Sequence, residues 1–405
     1  MPRRAILALL LPLLLASVTA WADPVRLGIE VLLDKRIDLV AGKRVGLVTN
    51  PSAVDSKLVQ TLDRLLADKR LTLTQLYAPE HGLRGALPNG AGGITGVDPL
   101  SGVPVEALWG KKDRPSPESL ERVDVLVFDI QDIGSRTYTY ATTLGQVMQR
   151  AAAAGKPLIV LDRPNPLGGQ LFEGPVRQQK HKSLIGWGPL PVTHGMTFGE
   201  LARFYNAELK IGCNLTVVEM DGWKREMQWE DTGLQWVPTS PGIPHPLNAH
   251  LYVATGMVGG SGANVNEGGG NSMPFELIGA PFIEPQKYLD ALKAQDVPGI
   301  LFRAMTFRPW RGQFAGKIVH GVQLLLQDRR IFRPLRTALI LMTALQKTHP
   351  ELFKVKDAQR FARVWGNTDV LRQVQEGKTW QDIEASWSPD LAAFGQKRSK
   401  YLLYP

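Results

Sequence analysis

Two rhythms of apolar and polar positions alternate along the first part of the chain. KRVGLVTN at 43–50, LTLTQLY at 71–77, VDVLVFDI at 123–130 and KPLIVLD at 156–162 are short, β-branched apolar runs of strand length. KLVQTLDRLLADK at 57–69 instead spaces its apolar residues as a helix does, and an alanine-rich helical segment separates the last two runs. Strand, helix, strand repeated in this way predicts βαβ units, hence an α/β fold with a Rossmann-like, mostly parallel sheet. Loops leaving the carboxyl ends of such strands converge on a ligand crevice. The residues to watch are therefore those that follow each run: Asn50, DIQDIGSR and DRPNP.

HGMTFGELARFYNAEL at 194–209 predicts a helix capped by Thr197, with Glu200 three residues on to complete a reciprocal capping box. A proline-rich stretch, LQWVPTSPGIPHPLNAH at 234–250, then breaks the regular pattern. We expect a Rossmann-like catalytic domain over 23–235 and a smaller α/β or α+β substrate-cleft domain over 236–405. Within the latter, KYLDALKAQ and RPLRTALILMTALQ predict helices, GVQLLLQD a strand, and GGSGANVNEGGGNSMPFELIG a glycine-rich second wall. Trp310, Phe314 and the terminal YLLYP are expected to pack as core residues.

The amino terminus changes the compartment. Arg3 and Arg4 precede AILALLLPLLLASVTA, and Ala20, Trp21 and Ala22 offer a small-x-small cleavage site, so residues 1–22 predict a secretory signal peptide. The apolar run is shorter than the ~20 residues that usually span a bilayer. A soluble periplasmic protein is expected, with an uncleaved membrane anchor as the alternative. The formal charge of +9 includes those two arginines and the remaining basic residues are scattered, without a nucleic-acid motif, so no nucleic-acid partner is expected. The single cysteine, Cys213, lies beside LTVVEM and reads as a buried structural thiol rather than a nucleophile.

Several chemistries lack their signatures. The first strand does not run into a GxGxxG turn, and GxxxxGK[ST], GxSxG and HExxH are absent. His245 and His250 have no cysteine or histidine cluster around them that would specify zinc. What remains is carboxylate chemistry. APEHGLRG at 78–85 sets Glu80 and His81 beside a turn-prone glycine, and a buried Glu80 would suit a general acid. FDIQDIGSRTYTY supplies Asp129, Gln131 and Asp132, then Arg136, Tyr138 and Tyr140; Asp129 or Asp132 is the expected second carboxylate. DRPNPLGG adds Asp162, Arg163 and Asn165, and HGMTFGELA adds His194. Each of these also has a structural reading: strand-end carboxylates satisfy backbone donors, Asp162 and Arg163 form a salt-bridged turn, and Glu200 serves its cap.

VGLVTNPSAVD, YAPEHGLRG, FDIQDIGSRTYTY, VLDRPNPLGG and HGMTFGELA, in that order over about 45–202, resemble the signatures of the YbbC/NamZ-like exo-β-N-acetylmuramidase family, also described as DUF1343-like. TGLQWVPTSP, NEGGGNSMPFELIGAP and the terminal YLLY extend the resemblance over most of the chain. The resemblance implies hydrolysis of a terminal β-linked N-acetylmuramic acid from peptidoglycan-derived muramyl saccharides, with no nicotinamide cofactor, no obligatory metal and no obligatory protein partner. Carried over by motif position, Glu80 protonates the leaving oxygen and His81 orients it. Asn50, Arg84, Gln131, Arg136, Tyr138, Asp162, Arg163, Asn165, His194 and Glu267 contact or support the substrate. Arg84 or Arg136 is the expected partner of the lactyl carboxylate. The chain departs from the family where Gly269 stands in NEGGGNSMPFE instead of the arginine of a SEGRGT-like segment, and in TSPGIPHPLNAHLY. The competing readings are a non-catalytic binder of cell-wall fragments and a hydrolase of another carbohydrate.

Overall fold

The structure, a computed structural model, describes residues 24–405 except 89, 92, 94 and 111. The expected signal peptide lies outside the described residues. Among these, no helix is long and apolar enough to cross a membrane.

Seven strands form the first sheet: β1 (Arg44–Thr49), β2 (Thr72–Ala78), β3 (Gly96–Val97), β4 (Pro104–Ala107), β5 (Val125–Asp129), β6 (Leu158–Leu161) and β7 (Leu215–Val218), in the order β3-β4-β2-β1-β5-β6-β7. Every pairing is parallel except that of β3 with β4. Strand order runs outward from β1 to β2 and β4 on one side and from β5 to β6 and β7 on the other. The switch point therefore lies between β1 and β5, the place where open α/β sheets bind their ligands. Both central strands are buried along nearly their whole length, which is why their sequences are continuous apolar runs rather than alternating ones.

One face of this sheet packs against the helix Gly28–Lys35, burying Ile29 and Leu32 beside Leu47, Leu76 and Val127. The other face, with Phe128 and Val160, meets the helix Thr139–Ala153 through Leu144 and Met148. That core runs on without a break into the second half, where Val253, Leu339 and Trp365 belong to the same cluster.

The second half holds a three-stranded antiparallel sheet, β8 (Leu277–Ala280), β9 (Ile300–Phe307) and β10 (Val319–Leu326), with β10 in the centre. Helices Pro285–Lys293 and Pro334–Thr348 occupy the segments whose spacing predicts them, and β10 covers most of the expected strand. Thr197 caps the helix Phe198–Glu208: its hydroxyl accepts from Glu200 N–H, and the Glu200 carboxylate accepts from Thr197 N–H at 3.0 Å. Cys213 is buried, and burial pushes its thiol up to about 11, as a structural thiol requires. The terminal segment does pack as expected: the Tyr404 ring lies among the residues of the first sheet's core. Trp310 does not. It is 65% exposed at the tip of the β9–β10 hairpin, while Phe314 of the same tip turns inward.

Candidate active site

Four loops leave the carboxyl ends of β1, β2, β5 and β6 and bring most of the expected residues to one edge of the sheet. Asn50 follows β1, and its Oδ1 accepts from Ser52 N–H at 3.0 Å, closing a tight turn. The Ser52 hydroxyl in turn accepts from Gln131 N–H at 3.2 Å, so the turns after β1 and β5 brace each other across the switch point.

Glu80 follows β2 and is 9% exposed. Its Oε1 accepts from Gly90 N–H at 2.8 Å and its Oε2 from the Thr139 hydroxyl at 2.7 Å, at the first turn of the helix Thr139–Ala153. The two donors differ in kind. An amide N–H can only donate, whereas a hydroxyl can rotate and accept. Oε2 is therefore the oxygen of Glu80 that can carry a proton in these surroundings. Among the described residues the His81 ring forms no hydrogen bond with Glu80; its Nδ1 lies 2.9 Å from Leu87 O and its N–H donates to Ala91 O at 3.1 Å. Its backbone sits in the left-handed region at φ 69°, an uncommon conformation that costs on the order of 1–3 kcal/mol for a non-glycine residue and fixes the turn presenting Glu80.

Asp129 and Asp132, three residues apart, have opposite surroundings. The Asp129 carboxylate is fully buried and taken up on both oxygens, by Arg163 Nε at 2.5 Å and Nη2 at 3.0 Å and by the Thr61 hydroxyl at 2.5 Å. Arg163 also donates to Val54 O. This pair ties the loop after β1 to β5 and β6, which corrects the expectation that Asp129 serves as a reacting carboxylate and Arg163 as a substrate contact. Asp132 Oδ2 accepts from Gly134 N–H at 2.9 Å and lies 3.4 Å from His194 Nε2, while Oδ1 is buried and finds no partner in the protein. His194 Nδ1 accepts from Met196 N–H at 3.2 Å, which leaves the ring proton on Nε2, facing Asp132. Gln131 donates its amide to Asp132 O and Pro164 O, and its Oε1 is likewise buried without a partner.

Two tyrosines join these groups. Burial pushes the Tyr140 phenol well up; an Asn50 hydrogen bond opposes that, and the charges of Glu80 and Asp132 add to it. Tyr252 is pushed up to about 12, first by burial and then by the same two carboxylates, against a hydrogen bond with Thr137 at 3.1 Å. Glu80 and Asp132 thus bear on both phenols, and Asn50 on that of Tyr140. Tyr138 packs edge-on against both rings and donates to the Thr239 hydroxyl at 2.8 Å. Sequence reasoning missed Thr139 and Tyr252. Thr139 stands in the singled-out SRTYTY run; Tyr252, in a single π-helical turn at Tyr252–Gly256, carries no local signal, although such turns recur at functional sites.

The remaining expected residues lie off this centre. Arg136 is buried and donates to Ile185 O and Val364 O, clasping the two halves of the chain, with burial lowering its guanidinium to about 10. That placement corrects its assignment to the lactyl carboxylate. Arg84 pairs with buried Asp98 at 2.7 Å, and only Nη1, 3.5 Å from Gln60 Oε1, is loosely held. Asn165 braces a turn through Met196 O and Leu167 N–H. Asp162 is fully buried and raised to about 7, by burial above all, with Thr197, Tyr404 and Gly199 donating to it. Glu267 is half-buried on the wall formed by the 264–276 loop, and burial raises it. This wall reaches the tyrosines through Phe275, whose N–H donates to Glu267 O and whose ring packs on Tyr252. Cavities of about 540, 560, 460 and 500 Å³ lie elsewhere on the molecule, and neither Glu80 nor Asp132 lines any of them.

Residues 45–247 match the family model for exo-β-N-acetylmuramidase NamZ, N-terminal, and residues 250–404 the corresponding C-terminal model. The chain is 40% identical over 386 residues to peptidoglycan β-N-acetylmuramidase NamZ of Bacillus subtilis (strain 168), covering 95% of this chain and 93% of that relative. Its structure is similar to crystal structures of two DUF1343 family proteins of Bacteroides fragilis. One has a TM-score of 0.89 at 36% identity, covering 95% of this chain and all of the other; the second has a TM-score of 0.77 at 28% identity, covering 94% and 99%. With both models matched in order along nearly the whole described chain, this protein belongs to the NamZ family of exo-β-N-acetylmuramidases.

Proposed function

We propose that this protein is a glycoside hydrolase that releases terminal β-linked N-acetylmuramic acid from peptidoglycan-derived saccharides, with Glu80 as its acid. The observation that carries the reading is the coincidence of family membership over the whole chain with a buried glutamate at the switch-point edge of the sheet. Oε2 of Glu80 delivers a proton to the bridging oxygen as the glycosidic bond breaks. Gly90 N–H and the Thr139 hydroxyl hold the carboxyl group in place before and after that transfer.

Asp132 is the second carboxyl group of the site. A buried acceptor without a protein partner is free to accept from water or from a ligand. Asp132 Oδ1 and Gln131 Oε1 are two such acceptors on neighbouring residues, and the sugar's hydroxyl and acetamido N–H groups are donors. In this scheme Asp132, held by Gly134 N–H with His194 Nε2 3.4 Å away, accepts a hydrogen bond from the acetamido N–H and turns the amide oxygen toward the anomeric carbon. That oxygen forms a bond to the carbon while the leaving oxygen departs with the Glu80 proton. Water then opens the cyclic intermediate, giving its proton back to Glu80. The anomeric configuration is retained. The looser Nη1 of Arg84 is the donor we assign to the lactyl carboxylate. Residues 1–22 direct the chain to the periplasm, where such fragments are available.

Incubation with a disaccharide bearing non-reducing N-acetylmuramic acid tests the reading, with mass-resolved detection of the released sugar and of its first-formed anomer. Release of the β-anomer is expected. No release by a folded protein that binds the disaccharide overturns the activity; release of the α-anomer keeps it but reassigns Asp132 to activating water.

A further inference from the structure

The β9–β10 hairpin departs from the packing its sequence suggests. Its tip carries two aromatic residues with opposite fates. Phe314 adopts a left-handed backbone at φ 62° and packs beside Leu277, Phe307 and Val319, whereas Trp310 is left 65% exposed. The tip is not a loose loop. Gly316 N–H donates to Pro309 O at 2.8 Å and Lys317 N–H to Phe314 O at 3.0 Å.

It is also fastened to the wall that carries Glu267. Trp310 N–H donates to Gly270 O at 2.9 Å, and the Asn266 amide donates to Gln313 O at 2.9 Å. Gly270, at φ 72°, lies so close that a Cβ there would come within 2.4 Å of Arg311 O. Through Phe275 and Tyr252 this wall continues to the Glu80 edge of the sheet. The charge of the hairpin is one-sided: between Asp296 and Asp328 the chain holds Arg303, Arg308, Arg311 and Lys317 and no acidic residue. Among the described residues, Arg308 and Arg311 are both exposed and neither enters an ion pair.

We propose that this hairpin tip is the platform for the leaving side of the substrate, the part of the polymer beyond the bond that is cut. Trp310 stacks on the C–H face of a sugar ring, and Arg308 and Arg311 pair with the carboxylates that muramyl and peptide substituents place along the same chain. The inference rests on the muramidase reading above. An exo-acting enzyme holds one terminal sugar in its centre, so selection among longer polymers has to come from contacts beyond it, and an exposed aromatic ring on an anchored backbone between two unpaired cations suits an anionic glycan.

Two substrates separate the outcomes: the N-acetylmuramic acid-terminated disaccharide, and a tetrasaccharide with the same terminus whose inner muramyl unit carries a stem peptide. Trp310→Ala is expected to lower the ratio of kcat/KM for the tetrasaccharide to that for the disaccharide about tenfold, mainly through KM. Arg308→Gln with Arg311→Gln is expected to lower it similarly, and less at high salt. A ratio that moves less than about twofold in both variants overturns the proposal. So does an intact ratio together with loss of sedimentation with vesicles of anionic phospholipid, which would make the tip a membrane contact. If the wild-type protein cleaves neither substrate, the muramidase reading fails on its own. The hairpin is then judged by calorimetric binding of the tetrasaccharide, which is expected to weaken in both variants; equal binding overturns it.

Discussion

The ends of β5 and β6 lie side by side, and their polar groups teach opposite lessons. After β6, Asp162 accepts from Thr197, Gly199 and Tyr404. Glu200 beside it completes a cap, receives Arg225 and takes Leu403 N–H from the returning tail. Apart from the local cap, these bonds join distant stretches of chain. After β5, Asp132 Oδ1, Gln131 Oε1 and His194 Nε2 are buried without a hydrogen-bond partner in the protein. A saturated network holds the fold, whereas an unsaturated one leaves acceptors free for water or a ligand. Asp129 shows that the distinction is not one of strand, because it belongs to β5 and yet to the saturated kind.

Substitutions can separate the two kinds, and the largest effect is expected at the centre. Glu80→Gln keeps the shape and an acceptor for Gly90 but removes the transferable proton, so turnover should fall ~10²–10⁴-fold with the fold intact. Mass-resolved product release measures it, and turnover within about twofold of wild type removes Glu80 as the acid. The mirror experiment is Arg163→Met. It strands the Asp129 carboxylate in the interior and should cost about 3–5 kcal/mol of stability in urea unfolding. Asp132→Asn sits between them. We expect turnover to drop ~10–100-fold with little change in unfolding midpoint; a large stability loss would move Asp132 to the saturated class.

Legibility in the sequence followed the same division. The sheet could be read because buried parallel strands must be continuous apolar runs, and the Thr197–Glu200 cap because its spacing is local. The glycine of EHG marked the turn that carries Glu80, and the structure sets that turn after β2. Asp129 and Asp132 could not be told apart, since what separates them is Arg163, 34 residues on from Asp129, against His194. Arg136 was misread for the same reason: the carbonyl that holds it belongs to Val364, 228 residues away. The sequence reads Trp310 as a core residue because large aromatic side chains usually pack. Its neighbour Phe314 took that space instead.

The pH response distinguishes the two strand ends by a smaller effect. Burial raises Asp162 to about 7 in the folded protein, far above its ordinary value. The folded state then keeps a proton that the unfolded chain has already lost. The resulting stability is complete below about pH 4 and declines as pH rises toward 7. Buried Glu173, also raised to about 7, acts with the same sign, while buried His250, lowered to about 3, acts with the opposite one. The wild-type curve mixes these with other shifted groups such as Glu267, so the informative quantity is its difference from Asp162→Asn. That variant cannot titrate at 162 and should show a shallower decline in melting temperature between pH 4 and 7, by about a few degrees. Parallel curves would mean that Asp162 ionises in the folded protein as it does in the unfolded one.

The smallest effect comes from the tail. The Tyr404 hydroxyl donates to Asp162 Oδ2 at 2.6 Å and accepts from Met220 N–H at 3.0 Å, so the second residue from the end of the chain closes the β6 network. Its ring meets Trp223 edge-on and packs in the core of the first sheet, and both contacts survive in phenylalanine. Tyr404→Phe therefore isolates the hydroxyl. It should cost about 1 kcal/mol in urea unfolding, the ordinary worth of a hydrogen bond, and leave turnover of the disaccharide within about twofold. The cost should grow as pH rises through 7, because the Asp162 carboxylate then loses a donor it needs more when charged. A turnover loss as large as that of Asp132→Asn would erase the boundary between the β5 and β6 ends.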